Sequence, residues 1–202
     1  MSSEPHLADA DDMVMRELRA QARATPPLNP AEESELLARR ASGDGPTETR
    51  LVAAKLGMVI RLAEARRGKG LSEPDLVQEG SLGLVEALRS FEGDGAAAFD
   101  VFAEQKVGDR MDAAIAAEAA AVRDAEQLVA AANDYERVEV QLRRTLQRAP
   151  TEPEIAQKLE WSVERTRYVA QVVADARRRH DEELLAFIDP EAIDIDDTVD
   201  GE

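Results

Sequence analysis

The sequence predicts an all-α fold, in which a central helical bundle is followed by a small three-helix domain of the helix-turn-helix type and an acidic C-terminal tail. Apolar residues recur at helical spacing, and several turns end in a polar residue suited to cap a helix. Hydrophobic residues make up 44% of the chain but aromatic residues only 3%, so aliphatic side chains must form most of each core.

Composition excludes several classes of function. The chain of 202 residues has no cysteine and only two histidines, His6 and His180, far apart in the sequence. We therefore expect no disulfide, no metal site and no cofactor. A nucleotide-binding loop and a nucleophile with a histidine base are both absent, so an enzyme is not expected. No apolar run has the length of a membrane span and residues 1–12 lack a signal segment, which predicts a cytoplasmic protein without a membrane partner.

The first part of the chain is predicted to hold five helices. Residues 1–10 are expected to be disordered, a proline-rich segment separates the first two helices, and Asn29 caps the second. Glycine-containing turns separate the later helices. The predicted helices cover residues 12–24, 30–40, 47–67, 72–91 and 99–132, and the predicted domains are 11–132 and 133–180, followed by the tail 181–202.

The segment 70–84 carries the most informative local pattern. Ser72 is a good N-cap, Asp75 stands three residues later as in a capping box, and Pro74 suits a first helical turn. The helix is therefore predicted to begin near Ser72, with one apolar face for the core and one polar face for a partner. The predicted apolar stripe comprises Leu76, Leu82, Leu84, Val85 and Leu88, and the polar face comprises Asp75, Gln78, Glu79 and Ser81.

The second half predicts a helix, a tight turn and a further helix. A helix over 135–146 is followed by a capping box at Thr151–Glu154, and Ser162 caps the last predicted helix, over 163–178. Glu160 stands in the turn where glycine is usual, so it must accept the turn geometry at some cost. This spacing is typical of a helix-turn-helix.

The charge distribution limits nucleic-acid binding. A formal net charge of -17 repels phosphate at long range unless the charges are segregated. Residues 134–179 hold ten bases against eight acids, whereas residues 181–202 hold ten acids and no base and are expected to be disordered. Arg165 and Arg167 are the candidate DNA contacts of the helix-turn-helix, and a three-helix bundle without DNA contact is the alternative.

The motif Asp75-Leu76-Val77-Gln78-Glu79-Gly80, followed by Gly83-Leu84, resembles the core-binding helix of bacterial RNA polymerase sigma factors of the sigma-70 class. The resemblance extends over roughly residues 11–190 and covers the first three helical regions of that family. It implies sigma-factor-like helical domains and a helix that docks on basic clamp helices in the largest subunit of core RNA polymerase. The implied polymerase-binding residues are Asp75, Gln78, Glu79, Ser81 and Val85.

Two departures from the family pattern predict weakened promoter recognition and melting. In the segment that resembles the promoter-melting helix, Phe99 and Phe102 remain, but Gln105 and Lys106 stand where the family has a tryptophan pair. Residues 100–126 contain seven acids and only three bases, one of which is Arg110. We also expect no counterpart of the C-terminal domain that binds the upstream promoter element.

The acidic tail has its own implied role. Residues 184–189 resemble the start of the acidic linker that sigma factors thread toward the polymerase active site. An acidic strand in a basic channel mimics phosphate. The implied channel residues are Phe187, Asp189, Asp194 and Asp196.

Two functional hypotheses follow. In the first, the protein is a degenerate sigma-like subunit that binds core RNA polymerase and acts in transcription initiation or its regulation. Promoter DNA is then contacted only within the polymerase, with help from an additional DNA-binding regulator, and no small-molecule substrate is expected. In the second, the protein is an acidic helical adaptor or anti-activator that binds a sigma factor or another regulator.

Overall fold

The computed structural model describes residues 4–40 and 45–187, and within these ranges it confirms the all-α class. No helix in this part of the chain is long and apolar enough to cross a membrane. No group of His, Asp or Glu side chains in the same ranges is arranged to hold a metal ion. The helices are α1 (Glu4–Ala24), α2 (Pro30–Arg40), α3 (Gly45–Glu64), α4 (Glu73–Ser90), α5 (Ala96–Leu146), α6 (Glu152–Leu159) and α7 (Val163–Phe187).

The chain divides into two compact units, Met1–Val122 and Arg123–Glu202. The first unit contains α1 to α4 and the beginning of α5, and the second contains the rest of α5 with α6 and α7. Each unit has its own aliphatic core. Because the point of division lies inside α5, the predicted domain limits stay a prediction.

The N-terminus of α4 forms as the sequence predicts. The backbone N–H of Asp75 donates to the Ser72 hydroxyl oxygen at 3.2 Å, and Pro74 lies in the first turn. Buried residues of α4 then recur at helical spacing and face the core of the first unit. They are Leu76, Val77, Gly80, Gly83, Leu84, Ala87 and Leu88.

The predicted apolar stripe of α4 is wrong at Leu82. This side chain is 43% exposed, whereas Leu76, Leu84 and Leu88 are buried. At 100° per residue, Leu82 lies almost opposite the centre of the buried face, next to Gln78 one turn away. Val85 is half-buried at the edge of that face.

Two glycines allow α4 to approach α5 closely. A Cβ atom added at Gly83 would lie 3.0 Å from the Cβ of Arg110 and 3.2 Å from the carbonyl oxygen of Lys106. A Cβ atom added at Gly80 would lie 2.2 Å from the terminal methyl group of Met111. Glycine at these two positions therefore sets the distance between the helices.

Three helices extend well beyond the predicted bounds. α5 continues through Asn133 and Asp134, where the sequence predicts a break. No proline or glycine lies near this point of the helix, and neighbouring residues pack into the second core. α1 begins at Glu4 instead of residue 12, with a proline in its first turn. α7 runs to Phe187 instead of 178, since the next proline is Pro190. The predicted tail is thus helical over 181–187, and its remainder lies outside the described residues.

The predicted turn between α6 and α7 is confirmed. Glu160 adopts the left-handed conformation, with φ 58° and ψ 36°, and the N–H of Arg165 donates to the Ser162 hydroxyl oxygen at 3.1 Å. At the start of α6, the N–H of Thr151 donates to the Glu154 carboxylate at 2.8 Å. The N-cap chemistry of both helices was therefore readable from local sequence.

Replacing Glu154 by glutamine is expected to destabilise the second unit at neutral pH but not in acid. Hydrogen bonds from Arg148, and then from the N–H and hydroxyl of Thr151, lower the pKa of Glu154 from 4.5 to about 2. A carboxyl whose pKa is lower in the folded state contributes stability above its unfolded pKa, and loses it as the pH falls through its folded pKa. The difference in Tm between wild type and Glu154→Gln should therefore shrink between about pH 4.5 and pH 2.

Thermal melts followed by the fluorescence of Trp161, the only tryptophan, measure this effect in the second unit. Glu164→Gln is the control, because Glu164 is exposed in the first turn of α7 and its substitution removes the same charge. A difference for Glu154→Gln that stays constant across the pH range would contradict the prediction.

Candidate partner-binding groove between α4 and α5

The first half of α4 and the middle of α5 form the two walls of an open groove of about 630 Å³. Acidic and amide side chains form its α4 side, and alanines form most of its α5 side. Small side chains on α5 leave room for a partner, while the polar side chains can fix its orientation. The groove, which we call the α4–α5 groove, is lined by Leu71, Asp75, Gln78, Glu79, Arg110, Ala113, Ala114, Ala117, Glu118 and Ala121.

Three of the five predicted polymerase-binding residues lie in the α4–α5 groove. Asp75 and Gln78 are exposed, and Glu79 is half-buried. The Ser72 hydroxyl donates to the Asp75 carboxylate at 2.7 Å, so Asp75 supports the N-cap residue and still presents its charge to solvent. The Gln78 side chain forms no hydrogen bond with the residues that the structure describes, and its amide can therefore accept or donate to a partner.

The other two predicted residues do not line this groove. The Ser81 hydroxyl donates its proton to the carbonyl oxygen of Val77 at 2.7 Å, so towards a partner it can act only as an acceptor. Val85 lines a separate depression of about 550 Å³ together with Leu18 of α1 and Val52 of α3. The structure therefore brings three of the five predicted residues into this groove.

Arg110 joins the two helices of the groove. Its guanidinium donates to the carboxylates of Glu79 and Glu86, each at 2.8 Å. The hydrogen bond to Glu79, followed by the charges of Glu79 and Glu86, raises the pKa of Arg110. Residues 99–111, the segment that resembles the promoter-melting helix, are called the degenerate melting segment below. From the sequence, Arg110 is assigned only to this segment, because nothing local indicates an ion pair with a residue 31 positions away.

Two groove-side residues escape sequence analysis. Leu82 is exposed beside Gln78, although its type predicts burial. Glu118 lies about two helical turns beyond the segment that resembles the melting helix, yet it lines the groove. Helical-wheel geometry over the whole of α4 would have found Leu82, whereas only the packing of α5 against α4 reveals Glu118.

The aromatic residues of the degenerate melting segment pack against other side chains of the protein. Phe99 is fully buried, and its ring contacts Phe91 edge to face with ring centroids 5.3 Å apart. Phe102 is half-buried, lies 5.5 Å from Phe91, and has the ammonium group of Lys106 5.6 Å above its ring. Gln105 is exposed and carries no aromatic surface.

Acids of the same segment form ion pairs with bases of α3 and the residues after it. Asp100 pairs with Lys55, which also bonds the buried Glu33 at 2.6 Å. These contacts neutralise the cations that could otherwise hold phosphate. The remaining pairs are Glu104 with Arg61 at 3.0 Å and Asp112 with Arg66 at 2.8 Å.

Both candidate DNA contacts of the second unit have partners within that unit. The guanidinium of Arg165 lies 4.4 Å from the ring centroid of Trp161, and Arg167 donates to Glu152 at 3.1 Å. Both side chains are exposed, so these contacts compete with phosphate without preventing access.

The predicted channel residues fall largely outside the described part of the chain. Phe187 is the last residue of α7. Asp189, Asp194 and Asp196 lie outside the described residues, and their role stays a prediction.

Sequence comparison finds relatives that are described as RNA polymerase sigma factor SigA. The protein from a Bacillus species is 33% identical over 150 residues, which are 74% of this chain and 40% of the relative. The protein from Clostridium acetobutylicum is 31% identical over 150 residues, with the same coverage of 74% and 40%. The chain thus spans about two fifths of the length of these curated relatives. No family model matches it.

Proposed function

Because the chain belongs to the sigma-70 class of RNA polymerase sigma factors, we propose that it binds core RNA polymerase through the α4–α5 groove and acts in transcription initiation or its regulation. The observation that carries this proposal is that Asp75, Gln78 and Glu79 line one open groove. Their arrangement suits a rigid, largely preformed contact surface on two packed helices.

The chemistry of the groove favours a basic helical partner. Three acids, Asp75, Glu79 and Glu118, line it against the single base Arg110. Carboxylates accept short, charge-assisted hydrogen bonds from arginine or lysine, and complementary charge speeds encounter and sets orientation. Leu82 adds an apolar contact at the edge of the polar face. The basic clamp helices implied by the family resemblance have the chemistry that this surface requires.

We further propose that promoter melting and promoter recognition by this chain are weak. Base capture needs exposed aromatic faces, but Phe99 is buried and Phe102 is covered by Phe91 and Lys106. Phosphate binding needs unpaired cations, but the bases next to this segment are paired with its acids. Promoter contact therefore depends on the polymerase and on an additional DNA-binding regulator.

Competition for core RNA polymerase tests the proposed function. The full chain should co-purify with core polymerase, and a primary sigma factor added in excess should displace it. Retention on core despite that excess would place the binding site elsewhere. Binding to the sigma factor in the absence of core would favour the alternative of an acidic adaptor or anti-activator.

The free chain is expected not to bind single-stranded promoter DNA selectively at physiological salt. Fluorescence anisotropy should show no sequence-selective Kd below about 1 µM, since even non-specific affinity requires unpaired cations. The matched variant Gln105→Trp/Lys106→Trp adds two aromatic faces at exposed positions and should increase binding. Selective sub-micromolar binding by the wild type would refute the proposed loss of melting.

A further inference from the structure

Arg110 occupies a fixed position at the centre of the acidic side of the α4–α5 groove. Glu79 and Glu86 lie two helical turns apart on α4, and Arg110 contacts both. Gly83 lies between them, and the space that its missing side chain leaves is filled by the backbone and Cβ of the Arg110 turn. Helix packing therefore sets the position of the Arg110 backbone and Cβ, from which the guanidinium reaches both carboxylates.

The guanidinium of Arg110 uses acceptors that a basic partner needs. Glu79 is one of the three predicted polymerase-binding residues in the groove, and its side chain is 29% exposed, so a partner can reach it. The Arg110 side chain is 38% exposed and presents a positive charge to the same opening. A cation approaching Glu79 must therefore displace Arg110 or remain close to a like charge.

We propose that Arg110 is an internal counterion that lowers the affinity of the α4–α5 groove for its basic partner by occupying Glu79 and Glu86. This inference rests on the proposed function and adds to it the residue that sets the strength of binding. Because of Arg110, this chain competes less strongly for core polymerase than it would if the acidic residues of the groove were unpaired. Removing the guanidinium leaves Glu79 and Glu86 without this partner, and every charged residue that then lines the groove is acidic.

Equilibrium titration of the labelled full chain with core RNA polymerase tests the inference. Arg110→Gln should bind about three- to tenfold more tightly than wild type and should show a steeper decrease of affinity with salt. Arg110→Met keeps an unbranched aliphatic side chain beside Gly83 and should behave in the same way. Thermal melts of both variants verify that the helices remain folded.

Arg89→Gln is the matched control. Arg89 lies on α4, is paired with Glu48 at 3.2 Å, and is absent from the groove lining, so its substitution removes one positive charge outside the groove. A second comparison places Arg110→Gln in a Glu79→Gln background. If Arg110 acts through Glu79, its effect should be smaller there than in wild type.

Tighter binding by Arg110→Gln, unmatched by Arg89→Gln and reduced in the Glu79→Gln background, supports the inference. Unchanged binding by Arg110→Gln, while wild type binds core polymerase, overturns the inference. Weaker binding also overturns it, and assigns Arg110 the opposite role of orienting Glu79. Failure of the wild-type chain to bind core polymerase overturns the proposed function, and this inference with it.

Discussion

Reversing the charge of the polar face of α4 is expected to abolish binding to core RNA polymerase. The variant Gln78→Lys/Glu79→Lys replaces an exposed amide and a carboxylate of the groove by cations that face a basic partner. Hydrogen bonds to charged groups contribute about 1.5–3 kcal/mol each, so losing both should weaken binding at least about a hundredfold. Repulsion between the new lysines and the partner adds to this loss.

The same titration with core polymerase measures this effect. Glu126→Lys/Gln127→Lys is the control, since it changes an adjacent exposed Glu–Gln pair in the second unit by the same charge. Far-UV circular dichroism should show folded protein for both double variants, because neither changes a buried side chain. Wild-type affinity in the Gln78→Lys/Glu79→Lys variant would show that the groove is not the polymerase contact.

Gly83→Val is expected to destabilise the first unit by about 2–3 kcal/mol, which is a large part of the stability of a small domain. Its Cβ would press on the Cβ of Arg110 and on the backbone of α5 at Lys106 and Val107, at 3.0 to 3.2 Å. Backbone atoms inside a packed helix cannot move aside individually, so the whole of α5 must shift. Urea unfolding followed by far-UV circular dichroism measures the loss.

Gly57→Ala is the matched control for Gly83→Val. Gly57 lies within α3, is exposed, and has no neighbour within 4 Å of an added Cβ. Alanine there should raise the unfolding free energy by about 0.5–1 kcal/mol, since it reduces the entropy of the unfolded chain. Equal stability of Gly83→Val and wild type would mean that the close approach of α4 and α5 is not required.

Local chemistry explains why much of the fold can be predicted from sequence. The N-cap at Ser72, the Thr151–Glu154 interaction and the turn at Glu160 each depend on a few neighbouring residues. The acidic and amide positions of α4 are likewise set by helical periodicity, which brings Asp75 and Gln78 to one face. These features need no knowledge of the rest of the chain.

Predictions that depend on tertiary contacts were less successful. Asn133 and Asp134 suggest a helix break, but α5 continues through both residues. The nearby side chains of Ala131, Tyr135 and Val138 are buried in the second core. Leu82 is a different case, because its place on the helical wheel opposite the buried face of α4 already indicates exposure, whereas its residue type does not. Propensity is a weak preference that packing overrides.

The sequence by itself determined the helical class, the caps of α4, α6 and α7, and the polar residues available for binding, because each of these depends on interactions within one helical turn or its flanks. Only the tertiary structure decided which of those residues share a surface. It placed Asp75, Gln78 and Glu79 together in the groove, and it joined Arg110 to Glu79. These relations depend on how closely two helices pack at Gly83, and no local pattern encodes a distance between residues 31 positions apart.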